Sequence, residues 1–353
     1  MGGSLIRLVL AMVPWAIIAT LIYVALFVKP APVGETVQPS AIENRDRYYG
    51  AHSLESGALW LVGAHGKIIR SGSNRESWEV QSSPEDVHFQ DIAAWDDRRA
   101  IAVGNGGTVI VTEDGGESWA RVSGVPSNDV ANKLIDVKTY GGGEAWAVGE
   151  FGTIIRSDDY GQSWQRMREL EDVIFNEIVR VNPETLIVVG EFGLVLRSSD
   201  NGLTWDALEV PTEKSLTAVA FRDGNVGVIA GLEGVRLATH DGGEAWQIVG
   251  ESLSSVPSSR ADPDRGVTDV WTDPVSEHIF AIRWVSPMNM WVATGAKGIW
   301  LTGSPDARQW RSGRLSDTEM SWHTSIVALD RGVLFAGQNT GVWSMDGWAV
   351  IGN

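Results

Sequence analysis

The chain has 353 residues, enough for one large domain or two or three ordinary ones, and its 40 Gly and 17 Trp distinguish it more than its length. Its 43% hydrophobic content and the lack of a strict glycine period exclude wholesale disorder and a collagen-like fibre. The formal charge is −17, and all 45 acidic residues follow Gly34, so the chain repels phosphate backbones and no nucleic-acid partner is expected. Without Cys it has no disulfide frame, zinc–thiolate site, thiol nucleophile or lipid-modified cysteine.

The first predicted element is a membrane anchor at residues 1–28. Leu5–Val28 is apolar except for Arg7 near its start, and a helix from Arg7 to Val28 would rise about 33 Å, enough to span hydrocarbon. The apolar run is longer than a signal peptide's, and Lys29-Pro30-Ala31-Pro32 follows in place of a small-x-small cleavage site. Pro14 is tolerable in a membrane helix. The expected arrangement is single-pass in the inner (cytoplasmic) membrane, N-terminus inside and the remainder on the periplasmic or extracytoplasmic side. Residues 29–45, with Pro30, Pro32 and Pro39, read as a stiff tether.

Residues 46–353 are a repeat. Thr112–Trp119, Ser157–Trp164, Ser198–Trp205 and Thr239–Trp246 all read [ST]-x-D-x-G-x-x-W, their tryptophans 45, 41 and 41 residues apart. Degenerate copies lie at Ser71–Trp78, Ser304–Trp310 and Ser344–Trp348. Upstream of each box stands a second signature, as in Gly63-Ala-His-Gly66, Gly149-Glu-Phe-Gly152, Gly190-Glu-Phe-Gly193 and Gly231-Leu-Glu-Gly234. Short apolar runs meeting at paired glycines predict β-hairpins, because glycine accepts the positive φ of tight turns. One strand before each hairpin and one after each box make four strands per period. Four strands every 40–45 residues or so is the pattern of propeller blades. The prediction is an all-β, seven-bladed β-propeller of four-stranded blades.

The Asp box resembles the repeats of bacterial sialidases, but its residues suit a turn: Asp and Ser/Thr bond backbone amides while Trp packs beneath. Asp114, Asp159, Asp200, Asp241 and Trp119, Trp164, Trp205, Trp246 are therefore expected to be structural. The five tyrosines (23, 48, 49, 140 and 160) offer no convincing nucleophile, and the six histidines lack metal-ligand spacing. No catalytic residue, cofactor or metal site is expected. Asp91, Asp136 and Glu177 occupy equivalent places in three first strands; they could ring a cation but suit solvated channel carboxylates better.

Together, the boxes, the G-x-x-G turns and the seven blades resemble the photosystem II stability and assembly factor family. Gly149–Trp164 (GEFGTIIRSDDYGQSW) carries the likeness best. The resemblance spans roughly residues 50–350. It implies a non-enzymatic accessory or scaffold protein that docks on a membrane-protein complex. Among non-photosynthetic bacterial relatives, it implies an accessory of a resistance-nodulation-division type transporter. Family members in photosystem assembly carry an arginine patch; here Arg70, Arg156 and Arg197 recur at one repeat position, with Val111, Ala238 and Thr302 breaking the series. Phe151, Phe192 and Leu232 are expected at exposed turn tips, beside a long loop at residues 251–277. These six are the candidate partner-binding residues. The alternative from another class is a glycan-acting hydrolase of sialidase-like architecture.

Overall fold

The computed structural model describes residues 2–27, 40–127, 132–250 and 275–351. It divides into two units, residues 1–40 and 41–353. The first contributes one helix, α1 (Gly2–Phe27), with Pro14 inside it. Its described side chains, Leu10–Val24, are exposed. Among the described residues no helix is long and apolar enough to cross a membrane.

The second unit contains seven four-stranded antiparallel sheets, each formed by strands consecutive in sequence. These are the seven blades of a propeller: Tyr48–Gln81, Phe89–Arg121, Leu134–Arg166, Phe175–Leu208, Leu216–Ile248, Ile279–Arg314 and His323–Val350. First strands line the central channel. All five residues are buried in the second strands of blades 1–5 and 7, as at Ala145–Gly149, whereas fourth strands such as Gln165–Arg166 are exposed. A strand sandwiched between two neighbouring sheets must be apolar on both faces, which explains the unbroken apolar runs. Ile42 is buried between blades 7 and 1, so residues 41–45 of the expected tether belong to the propeller unit. Residues 29–39 lie outside the described residues.

The hydrophobic core is distributed as seven clusters, one between each pair of adjacent blades. Ile101, Val103 and Val111 of blade 2 meet Val137, Ala147 and Ile155 of blade 3 in one of them. Trp146, Val148 and Ile154 of blade 3 meet Phe175, Ile178 and Val188 of blade 4 in the next.

The two glycines of each turn have different roles. Gly193 has φ +74°, the left-handed conformation expected of it. Gly190 is extended at φ −157°, where any residue is comfortable. What requires glycine there is space: a Cβ would stand 2.4 Å from the Ile174 carbonyl oxygen, at the start of the same blade's first strand. The first glycine permits a close approach of strands, not an unusual φ.

Every first strand also has a β-bulge near its start, as between Phe89 and Asp91, and between Phe175 and Glu177. The residue just beyond the bulge is Gly50, Asp91, Asp136, Glu177, Ala218, Ala281 or Ser325, depending on the blade. A bulge re-aims the side chains that follow it, and here it sets one layer of the channel wall.

Candidate functional site

The Asp boxes close the turns between third and fourth strands. In blade 2 the Thr112 hydroxyl donates to Asp114 Oδ1 (2.8 Å) and accepts the Gly116 N–H (2.9 Å). Asp114 then accepts the amide (3.0 Å) and hydroxyl (2.5 Å) of Ser118. These bonds from Ser118, followed by that from Thr112, hold the Asp114 carboxyl down at about 2. Ser157–Asp159–Ser163 and Ser198–Asp200–Thr204 repeat the pattern. In Thr239–Asp241 the final hydroxyl is absent, and the Glu244 and Ala245 amides donate instead. Each aspartate is committed to its own turn.

The box tryptophans extend farther than a turn requires. Trp119 packs with blade 1, Trp164 with blade 2, Trp205 with blade 3 and Trp246 with blade 4, each joining the cluster shared with the preceding blade. Trp119 Nε1 donates to Gln81 of blade 1 (3.0 Å). A Cβ at Gly202 would come within 2.1 Å of the Trp146 ring in blade 3. The box is thus a seal between blades as well as a turn.

The channel encloses about 470 Å³. Asp91, Asp136 and Glu177 lie on its wall, and the cation among them is Lys138. Its Nζ meets Asp136, lies 3.0 Å from Glu177 and stands 3.9 Å from Asp91. Each carboxylate also accepts a backbone N–H from the next blade: Val137 to Asp91 (3.2 Å), Ile178 to Asp136 (3.0 Å) and Val219 to Glu177 (2.8 Å). The expectation of solvated carboxylates is therefore corrected to an inter-blade lock around one lysine. Burial, and repulsion from Asp136, push Asp91 well above the usual carboxylate range despite Lys138; burial raises Glu177 as well. Burial works against the Lys138 charge, but Asp136, Glu177 and Asp91 outweigh it and raise the ammonium. Nearby, burial followed by Arg283 and Lys138 pulls His52 down to about 4. Among the described residues no group of side chains suited to hold a metal ion occurs.

The arginines of the broken series are half-buried pairing residues. Arg70 bonds the Gly115 and Asp97 carbonyls of blade 2 (both 3.2 Å) while its guanidinium lies over Trp60. Arg156 contacts Glu144 (3.3 Å) and Asp158 (2.7 Å) in its own blade. Arg197 bonds Ser199 (2.7 Å) and reaches Glu244 of blade 5 (3.8 Å). The sequence reading missed Arg180, which clamps Glu144 across the seam between blades 3 and 4 at 2.6 and 2.7 Å. Its partner lies 36 residues away, a separation at which no local pattern exists.

The three apolar tips divide. Phe192 is exposed (75%), whereas Phe151 and Leu232 are half-buried. Leu232 fills the first position between its glycines, where Glu150 and Glu191 stand elsewhere; the exposed residue of its turn is Glu233. The three arginines sit on third strands toward the Asp-box end, and Phe192 at the opposite turn, so the six candidates form no single site. Residues 251–274 of the long loop lie outside the described residues.

Neither a protein-family model nor a curated protein matches the sequence. Solved structures do resemble its fold. YCF48 bound to D1 peptide aligns with a TM-score of 0.63 at 17% identity, covering 83% of this chain and 91% of that one. YCF48 from Cyanidioschyzon merolae gives 0.63 at 15% identity, over 87% and 95%. An ancestral GH74 enzyme gives 0.64 at 13% identity, over 91% of this chain but only 47% of the enzyme. These identities establish shared architecture, and one architecture hosts many functions.

Proposed function

We propose that this protein is a non-catalytic scaffold or accessory factor that binds an integral membrane protein and assists the assembly or function of its complex. The observation that carries this reading is the commitment of the channel carboxylates Asp91, Asp136 and Glu177 to Lys138 and to neighbouring-blade amides. An acid or base with those duties cannot change its protonation without loosening the ring. The Asp-box carboxylates are engaged in the same way within their turns. The loops that vary between blades remain as the means of recognition.

The fold shared with YCF48 bound to D1 peptide supports a peptide- or protein-binding role. The apolar run Leu5–Val28 supports a single-pass anchor, with the propeller outside the cytoplasm. A resistance-nodulation-division type transporter is the specific partner class that the repeat resemblance implies.

Crosslinking in native membranes, followed by purification through a C-terminal tag and mass spectrometry, tests the proposal. A stoichiometric transporter would identify an accessory subunit, and substoichiometric intermediates an assembly factor. Recovery of no membrane protein, together with turnover of a glycoside panel, would replace the scaffold with the hydrolase alternative.

A further inference from the structure

On the G-x-x-G face of blade 4 lies a groove of about 430 Å³. Its floor is Val173, Leu194, Leu208 and Val210, and Phe192 stands beside it. The Phe192 backbone adopts φ +56°, a conformation that a bulky residue seldom takes, and 75% of the residue is exposed. Folding does not require a phenylalanine there: the same turn position carries His65, Gly106, Glu233 and Lys297 in other blades. An exposed aromatic over an apolar floor is a surface awaiting a side chain.

The rim has one sign of charge. Glu171, Asp172 and Glu191 line the groove, and no Lys or Arg lines it. Among the described residues Asp172 and Glu191 form no ion pair, and Glu191 accepts the Ile174 N–H. The nearby cations are already engaged, Arg168 with Glu171 (2.6 Å) and Lys214 with Glu233 (2.5 Å). An apolar floor within a rim that carries carboxylates and no lining cation selects its occupant by charge and by shape.

We propose that this groove receives a basic segment of the partner, in which one large apolar side chain enters beside Phe192 and flanking Lys or Arg residues meet Asp172 and Glu191. The proposal rests on the scaffold reading and names the chemistry of the partner. It excludes acidic peptides and anionic headgroups as occupants, since the rim would repel both.

The test uses the full chain in detergent micelles and a fluorescent Lys-rich peptide with one central Trp. Two control peptides carry Glu for Lys or Ser for Trp. The labelled peptide should bind with an affinity that falls as salt is raised, and both controls should bind at least about tenfold more weakly. Phe192→Ser and, separately, Asp172→Lys should each weaken binding about tenfold, with an unchanged near-ultraviolet spectrum and melting temperature. Equal binding of the acidic control, or binding unaffected in both variants, overturns the proposal. So does dimerisation of the unliganded chain that Phe192→Ser abolishes, which would make a second copy the occupant.

The same variants in the membrane crosslinking experiment separate the two readings. If Phe192→Ser and Asp172→Lys capture the membrane partner as well as the wild type does, the groove proposal falls and the scaffold stands. If the peptide behaves as expected and no membrane protein is captured, the scaffold reading falls and the groove stands.

Discussion

At the scale of single residues, buried ionisable groups carry the sharpest consequences. His323 is fully buried beside the rings of Phe335 (5.8 Å) and Trp348 (5.3 Å), and among the described residues neither ring nitrogen has a hydrogen-bond partner. Burial, opposed by Glu319, pulls it down to about 4. The unfolded chain, titrating near 6.5, takes up the proton first, so stability is lost as pH falls from 6.5 toward 4. Blades 2 and 4 place Phe89 and Phe175 at this position. His323→Phe should therefore stabilise the propeller by about 1–2 kcal/mol at neutral pH, and by more near pH 5. Urea unfolding at both pH values checks this; an advantage that fails to widen on acidification contradicts it. Lys138→Met has the opposite character, leaving three carboxylates without their cation. It should cost about 3 kcal/mol at neutral pH. The cost should shrink in acid, where the raised Asp91 and Glu177 accept protons, and adding Glu177→Gln should recover part of it. Equal losses at both pH values would show that the lysine contributes packing alone.

At the scale of elements, the close strand approach at the first turn glycine is directly testable. Gly190→Ala drives a Cβ against the Ile174 carbonyl, whereas a Cβ at Gly224 meets nothing within 4 Å. The first substitution should lower stability by about 2–3 kcal/mol and the second should change it by less than about 0.5 kcal/mol. Thermal melts of the two proteins side by side decide the matter; similar melting temperatures would refute the steric account. These elements also show what the sequence made legible. Box turns were readable because Thr112, Asp114 and Ser118 bond within eight residues, and strands because apolar runs and paired glycines are local signals. The lock around Lys138, the Arg180–Glu144 clamp and the seal by each box tryptophan join residues about 36–46 positions apart. Leu232 misled because its turn shares the spacing of Gly190–Gly193 but not the position of the apolar residue.

At the scale of the whole molecule, the ring closes where blade 7 meets blade 1. The Thr324 hydroxyl donates to the Tyr49 carbonyl (2.9 Å), Tyr49 stacks on Trp322 (5.5 Å between centroids) and Arg47 bonds the Gln338 carbonyl (3.1 Å). Like the seams between blades 1 and 2, 5 and 6, and 6 and 7, this one has no carboxylate beyond the bulge (Ser325 here; Gly50, Ala218 and Ala281 there), and here the two blades are also not joined by consecutive chain. Opening should therefore begin there. Hydrogen exchange by mass spectrometry should show His323–Val350 and Tyr48–Ser53 losing protection before Phe175–Arg180, and the reverse order would refute it.

Because each blade is one unbroken stretch of chain and no strand is borrowed across the closing seam, the ring has no privileged place to begin. Arg47 and Ile351 both bond the Gln338–Thr340 segment, through the Gln338 and Thr340 carbonyls, so a short linker from residue 351 to 46 would have little distance to cover. A circular permutant opened between blades 4 and 5, near Pro211, should keep all seven sheets while presenting its new ends beside the groove at Phe192. The natural ends of the propeller would then be free for fusion elsewhere, and the order of blades along the gene would be a matter of history more than of architecture.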